Sequence, residues 1–203
     1  MILTPIPPGQ LDAALDRFAA QLSNEAASAA FARIRATSTE RAAGATAEAH
    51  RQAALGWARR LGMAVHPPRT RCAFNWDGAA LDGDTEAYVI LHEAAHFVLA
   101  SPERRRLVDF GLGPGPDTRD RAAAARAAVL PIVERDEDEA AASLLGILWE
   151  AMLEQPALAS FLDQNWLEGL DRSAAPHFTR VLHRLLDLGV VEPGMPSQAR
   201  EIR

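Results

Sequence analysis

His92-Glu93-Ala94-Ala95-His96 constrains this chain more than any other stretch. The run from Thr85 to Ala100 reads as one helix, with Tyr88, Leu91, Ala95, Val98 and Leu99 forming an apolar stripe. Asp84 is a candidate N-cap, and Ser101-Pro102 ends the run. Histidines four residues apart share one helical face. Here they lie within or beside the stripe, so both imidazoles point inward and can grip one metal ion. Glu93 projects beside that ion, where a carboxylate can pass a proton to or from a bound water or oxygen species. A buried core histidine pair is the plainer reading of the same spacing; the glutamate between the histidines favours metal.

Two histidines leave a catalytic metal short of a protein ligand. The acidic cluster Glu134-Arg135-Asp136-Glu137-Asp138-Glu139, at the head of a helix expected over 134–153, is the obvious supplier. Its bland role is to favour the helix N-terminus, at about 0.3–1 kcal/mol per group. From Glu137, the residues three, four, seven, eight and eleven ahead are Ala140, Ala141, Leu144, Leu145 and Leu148. From Glu139 the same set is Ala142, Ser143, Gly146, Ile147 and Glu150, a more polar face. Periodicity therefore selects Glu137 as third ligand, with Glu134 and Glu139 as alternatives and Asp136 and Asp138 on other faces. Glu137-Asp138-Glu139-Ala140 also resembles the E-x-x-A segment that carries the third ligand in many glutamate-type zincins. Asp109 is expected to bond a histidine N–H or to pair with Arg105 beside the site.

The remaining chain is helical in pattern. Leu11, Ala14, Leu15, Phe18, Ala19 and Leu22 keep helical spacing; Asn24 is placed to cap a second helix, and a third covers about 40–61. Residues 1–65 are expected to form a helical N-terminal segment, and 66–203 the metal-binding domain. His50 and His66 are read as surface residues. Residues 71–76 are a possible short strand, able to orient a substrate or simply to connect. Arg104-Arg105-Arg106 is read as a solvated face. Further helices are expected over 119–130 and around Phe161 and Phe178, with a loose tail from Pro193. The fold class is thus mainly α, with a zincin-like helical metal-binding core and at most one short strand element.

Composition narrows the partners. No apolar stretch approaches the roughly 20 residues of a membrane span, and the N-terminus lacks a signal-like core. Cys72 is the only cysteine, so an internal disulfide and a cysteine zinc cage are both excluded, in keeping with a cytoplasmic protein. The net charge of −6, with no lysine and no basic stripe, argues against nucleic acid. A protein or small-molecule substrate remains.

The segment Tyr88-Val-Ile-Leu-His-Glu-Ala-Ala-His-Phe-Val-Leu-Ala100, followed by Arg104-Arg105, Asp109-Phe110-Gly111 and Pro116-Asp117, resembles the elongation factor P hydroxylase family. That family carries H-E-x-x-H-W, R-R, D-F-G and P-D-G-R in the same order, then an acidic segment leading to Q-A, and D-N-L-x-G. Glu139-Ala140 stands at Q-A, and Asp163-Gln164-Asn165-Trp166-Leu167-Glu168-Gly169 resembles the last element. The likeness covers roughly residues 83–190. It departs at Leu112-Gly113-Pro114-Gly115, where the family is aromatic, and at Thr118 within the P-D-G-R loop. The resemblance implies oxygen-dependent hydroxylation of a protein or amino-acid side chain, with iron as the metal. The motif by itself favours a zinc peptidase or other hydrolase with Glu93 as general base, but the order of motifs puts the hydroxylase ahead. A non-catalytic scaffold that binds a partner is the third alternative.

Overall fold

The computed structural model describes residues 6–167, 174–192 and 195–196. Their fold is mainly α. The helices are α1 (Leu11–Ala20), α2 (Glu25–Arg35), α3 (Gly44–Arg60), α4 (Ala87–Leu99), α5 (Arg121–Ala127), α6 (Ile132–Met152), α7 (Ala157–Asp163) and α8 (Ala174–Asp187). Strands are two residues long: β1 (Ala64–Val65) runs parallel to β2 (Ala80–Leu81), and β3 (Val191–Glu192) antiparallel to β4 (Met195–Pro196). No described helix is long and apolar enough to cross a membrane.

The chain divides into two compact units at 41/42 and 146/147, not at 65/66. One holds α1, α2, α7, α8 and the end of α6. Its centre is a cluster of four buried phenylalanines, Phe18, Phe31, Phe161 and Phe178, with ring centroids 4.6 Å apart for Phe18–Phe31 and 5.4 Å for Phe18–Phe161. Each such ring contributes about 1.5–3 kcal/mol on burial. Asn24 caps α2 as expected, accepting the Ala27 N–H at 2.8 Å. An ionisable group is also buried there. Glu150 accepts a 2.8 Å hydrogen bond from Ser160, whose oxygen in turn accepts from Arg41.

Among the described residues, the other unit is Ala42–Gly146. Here α3 packs along α4 and buries Ala54, Leu55, Trp57 and Ala58, so the third helix belongs with the motif and not with the N-terminal helices. Sequence periodicity marks a helix as amphipathic but not which partner it covers, and for that reason the 65/66 boundary is corrected. Residues 71–76 do not form a strand. Only Trp76 bridges Leu81, and the loop is tied down by Asp82 N–H donating to the Asn75 carbonyl at 2.8 Å. The strand in this region is β2, four residues beyond. His66 pairs with Asp77 at 2.7 Å and is no part of the metal cluster. The motif helix starts at Ala87, three residues after the expected cap. Asp84 instead accepts the Arg69 N–H, and Glu86 takes the extended cap position. The helix ends at Leu99 with Ala100 already extended, as Ser101-Pro102 implied. Glu168 and Gly169, the end of the segment compared with D-N-L-x-G, lie outside the described residues, as does most of the tail from Pro193.

Candidate metal centre

The site begins with a close helix crossing. Gly146 on α6 lies against the backbone of α4. A Cβ placed there would sit 3.2 Å from the His92 Cα and 3.3 Å from the His92 nitrogen. Ser143, Ala142 and Glu139 share that side of α6, so the small residues bring the backbones together and the glutamate reaches the motif two turns away. His92 Nε2 and His96 Nε2 are 3.0 Å apart, and Glu139 Oε2 is 3.4 Å from each. Ligands held about 2.0–2.2 Å from a tetrahedral ion stand about 3.3–3.6 Å from one another. Two sides of the triangle fall in that range and the His92–His96 side is a few tenths of an ångström shorter, so these three residues could hold one ion.

Glu137, expected as third ligand, is exposed and outside the cluster; so is Glu134. The correction has a physical cause. The apolar side of α6, with Leu144, Leu145 and Leu148, is buried, but the side facing α4 is the one with Gly146 and Ser143. Close approach of two backbones selects small residues, not greasy ones. The mid-helix glycine was the available signal, since glycine costs about 0.8–1.0 kcal/mol there relative to alanine and needs a reason.

Asp138 likewise contradicts the expectation that it points away. It is buried, and its Oδ2 lies 3.3 Å from His96 Nδ1. Consecutive residues of α6 thus meet the two nitrogens of one imidazole. A carboxylate can only accept, so a proton on Nδ1 would be held by Asp138 and would leave the Nε2 lone pair for a bound ion. Burial opposes charge on His96, but Glu139 and Asp138 outweigh it and raise its pKa to about 10. The reciprocal effect acts on the acids. Against the cost of burial, His96 and Arg104 hold Asp138 down to about 2, and the histidines hold Glu139 well below the usual carboxylate range. The cluster is poised for a cation.

No family model matches the chain. No curated protein and no solved structure matches it either.

Glu93 is buried, and its Oε1 accepts a 3.2 Å hydrogen bond from the Asn75 side-chain amide. Burial raises its pKa, with His96 and His92 acting in the opposite sense. Asn75 comes from the segment expected as a strand; its contribution to the site is a side chain, not an edge. Arg105 and Asp109 do not pair. The Arg105 guanidinium donates to the carbonyls of Ala100 (3.1 Å) and Val98 (3.4 Å), closing the C-terminal end of α4, and lies over the Phe97 ring at 4.6 Å. Asp109 accepts from Thr118 Oγ1 at 2.7 Å, and burial raises its pKa. Asp109 and Phe110 are consecutive non-glycine residues with positive φ (44° and 53°). This left-handed pair is strained backbone. It turns the Phe110 ring onto His96, at 5.6 Å between centroids and 28° between planes. Of the basic triplet, only Arg106 is fully exposed.

Proposed function

We propose that the chain is a metal-dependent hydrolase acting on a peptide or amide carbonyl, with His92, His96 and Glu139 as ligands and Glu93 as general base. One observation carries this reading: a buried carboxylate with a raised pKa, aimed by Asn75, stands beside two converging imidazole nitrogens. A divalent ion bound there would polarise the carbonyl and acidify a water. Glu93 would take the proton from that water and return it to the leaving amine. His96 is kept in the ligating tautomer by Asp138. His92 and Glu139 are each partly exposed, which leaves the ion accessible to substrate. Zinc is the metal that this chemistry favours.

The second reading is the oxygen-dependent hydroxylase implied by the order of motifs from Tyr88 to Asp117. Two histidines and a carboxylate also suit iron. The test is metal analysis of anaerobically purified protein, followed by peptide-cleavage and oxygen-uptake assays. One equivalent of zinc with cleavage lost in Glu93→Gln supports the hydrolase. Iron with substrate-coupled oxygen uptake sinks it in favour of the hydroxylase, and a protein that takes up no metal sinks both.

A further inference from the structure

Arg104 is the best-held cation near the centre, although its sequence context reads as solvated charge. Its side chain is 14% exposed, and that of Asp138 is 8%. Nη1 donates to Asp138 Oδ1 at 3.1 Å, Nη2 to Oδ2 at 3.0 Å, and Nε to the Phe110 carbonyl at 3.0 Å. Two groups that touch His96 from outside the ligand set, the Asp138 carboxylate at its edge and the Phe110 ring on its face, are therefore tied to one guanidinium. A planar two-point contact of this kind fixes direction as well as charge.

The arrangement matters because Asp138 and Glu139 are neighbours on α6, and each is a possible metal ligand. Something must decide which carboxylate the ion receives. We propose that Arg104 is a positioning residue of the metal centre: it engages both oxygens of Asp138, holds that carboxylate against His96 Nδ1 and out of the coordination shell, and leaves Glu139 as the carboxylate ligand. This inference rests on the metal site proposed above. Without Arg104, Asp138 would keep only its bond to His96 and a buried charge with no fixed counterpart. It would then be free to rotate toward the ion or to release the ring.

The test is zinc affinity by chelator competition, together with the visible absorption of the cobalt(II)-substituted protein, on wild type, Arg104→Met, Arg104→Lys, Asp138→Asn and the Arg104→Met/Asp138→Asn double variant. Circular dichroism and thermal melting of the metal-free forms report folding. Arg104→Met and Asp138→Asn are each expected to weaken zinc about 10–100-fold and to change the cobalt spectrum, and Arg104→Lys to lose less. Because Arg104 acts through Asp138, the double variant should bind no more weakly than Asp138→Asn alone. A folded Arg104→Met with wild-type affinity and spectrum overturns the proposal, as do losses that multiply in the double variant. If Arg104→Met fails to fold, Arg104→Lys decides: weaker zinc with an altered cobalt spectrum supports the role, and unchanged binding refutes it. A wild-type chain that binds no zinc or cobalt overturns the metal site itself, a result distinct from any failure of Arg104.

Discussion

Gly146→Ala isolates the helix crossing on which the centre depends. The new methyl would sit 3.2 Å from the His92 Cα, 3.3 Å from its nitrogen and 3.4 Å from the Leu91 carbonyl carbon. All three are backbone atoms of α4, so no side chain can swing aside. Helix propensity alone would stabilise the variant by about 0.8–1.0 kcal/mol. Overpacking against an unyielding neighbour costs about 1–3 kcal/mol. The net expectation is a loss of about 0–2 kcal/mol in urea unfolding of the metal-free protein. Separating the helices by a few tenths of an ångström also draws Glu139 away from the histidines. Sites tolerate displacements of up to about 0.5 Å, so zinc affinity should fall by about tenfold or less. Gly146→Val, with a branched Cβ, should lose more of both. Urea titration and chelator competition measure the two effects separately. If Gly146→Ala gains the full propensity term and binds zinc unchanged, close backbone approach is not what α6 needs at this position, and the account of how Glu139 is delivered fails.

Other outcomes follow from the same geometry. His92→Ala, His96→Ala and Glu139→Ala should each lose stoichiometric metal, while Glu134→Ala and Glu137→Ala, at exposed positions, should bind it as wild type does; elemental analysis after gel filtration distinguishes them. Glu93→Gln should retain metal and lose turnover on the order of 10²-fold or more, read against the cleavage assay. Glu150 offers a pH test remote from the metal. Burial raises its pKa to about 7, with the Ser160 hydrogen bond and Arg41 only partly offsetting it. The folded state therefore binds a proton that the unfolded state has released between about pH 4.5 and 7. This group's stabilising contribution is complete below pH 4.5 and is lost as pH rises through 7. Glu150→Gln should flatten that part of the stability–pH curve; an unchanged slope in urea unfolding would contradict the assignment.

Much of the centre was legible in the chain, and the rest was hidden for identifiable reasons. His92, Glu93 and His96 follow from helical periodicity, because a four-residue spacing specifies one face whatever packs on it. The helical class and the Asn24 cap rest on equally local signals. The choice among Glu134, Glu137 and Glu139 went astray because hydropathy equates the buried face with the leucine face. The close α4–α6 approach is at Gly146, which hydropathy scores as neutral. Asp138 and Arg104 were obscured in a different way. Each sits in a run of like charge that normally marks solvated surface, and only their pairing across 34 residues takes them out of water. The unit boundary was hidden because α3 and α1 look alike as sequences.

The order of the two units along the chain has a consequence for synthesis. Every group assigned to the candidate metal centre, from Asn75 to Glu139, lies within Ala42–Gly146, whereas the phenylalanine cluster joins residues before that stretch to residues after it. On the ribosome, Phe18 and Phe31 emerge first and must wait for Phe161 and Phe178. The histidines and their carboxylate are all available some twenty residues before the first of those partners. Domains form as their residues emerge, N-terminal ones first as a rule. Here the interrupted topology reverses that order: the central segment can close while the opening helices still lack their partners. The histidine–carboxylate triad would then be assembled before the aromatic core is complete.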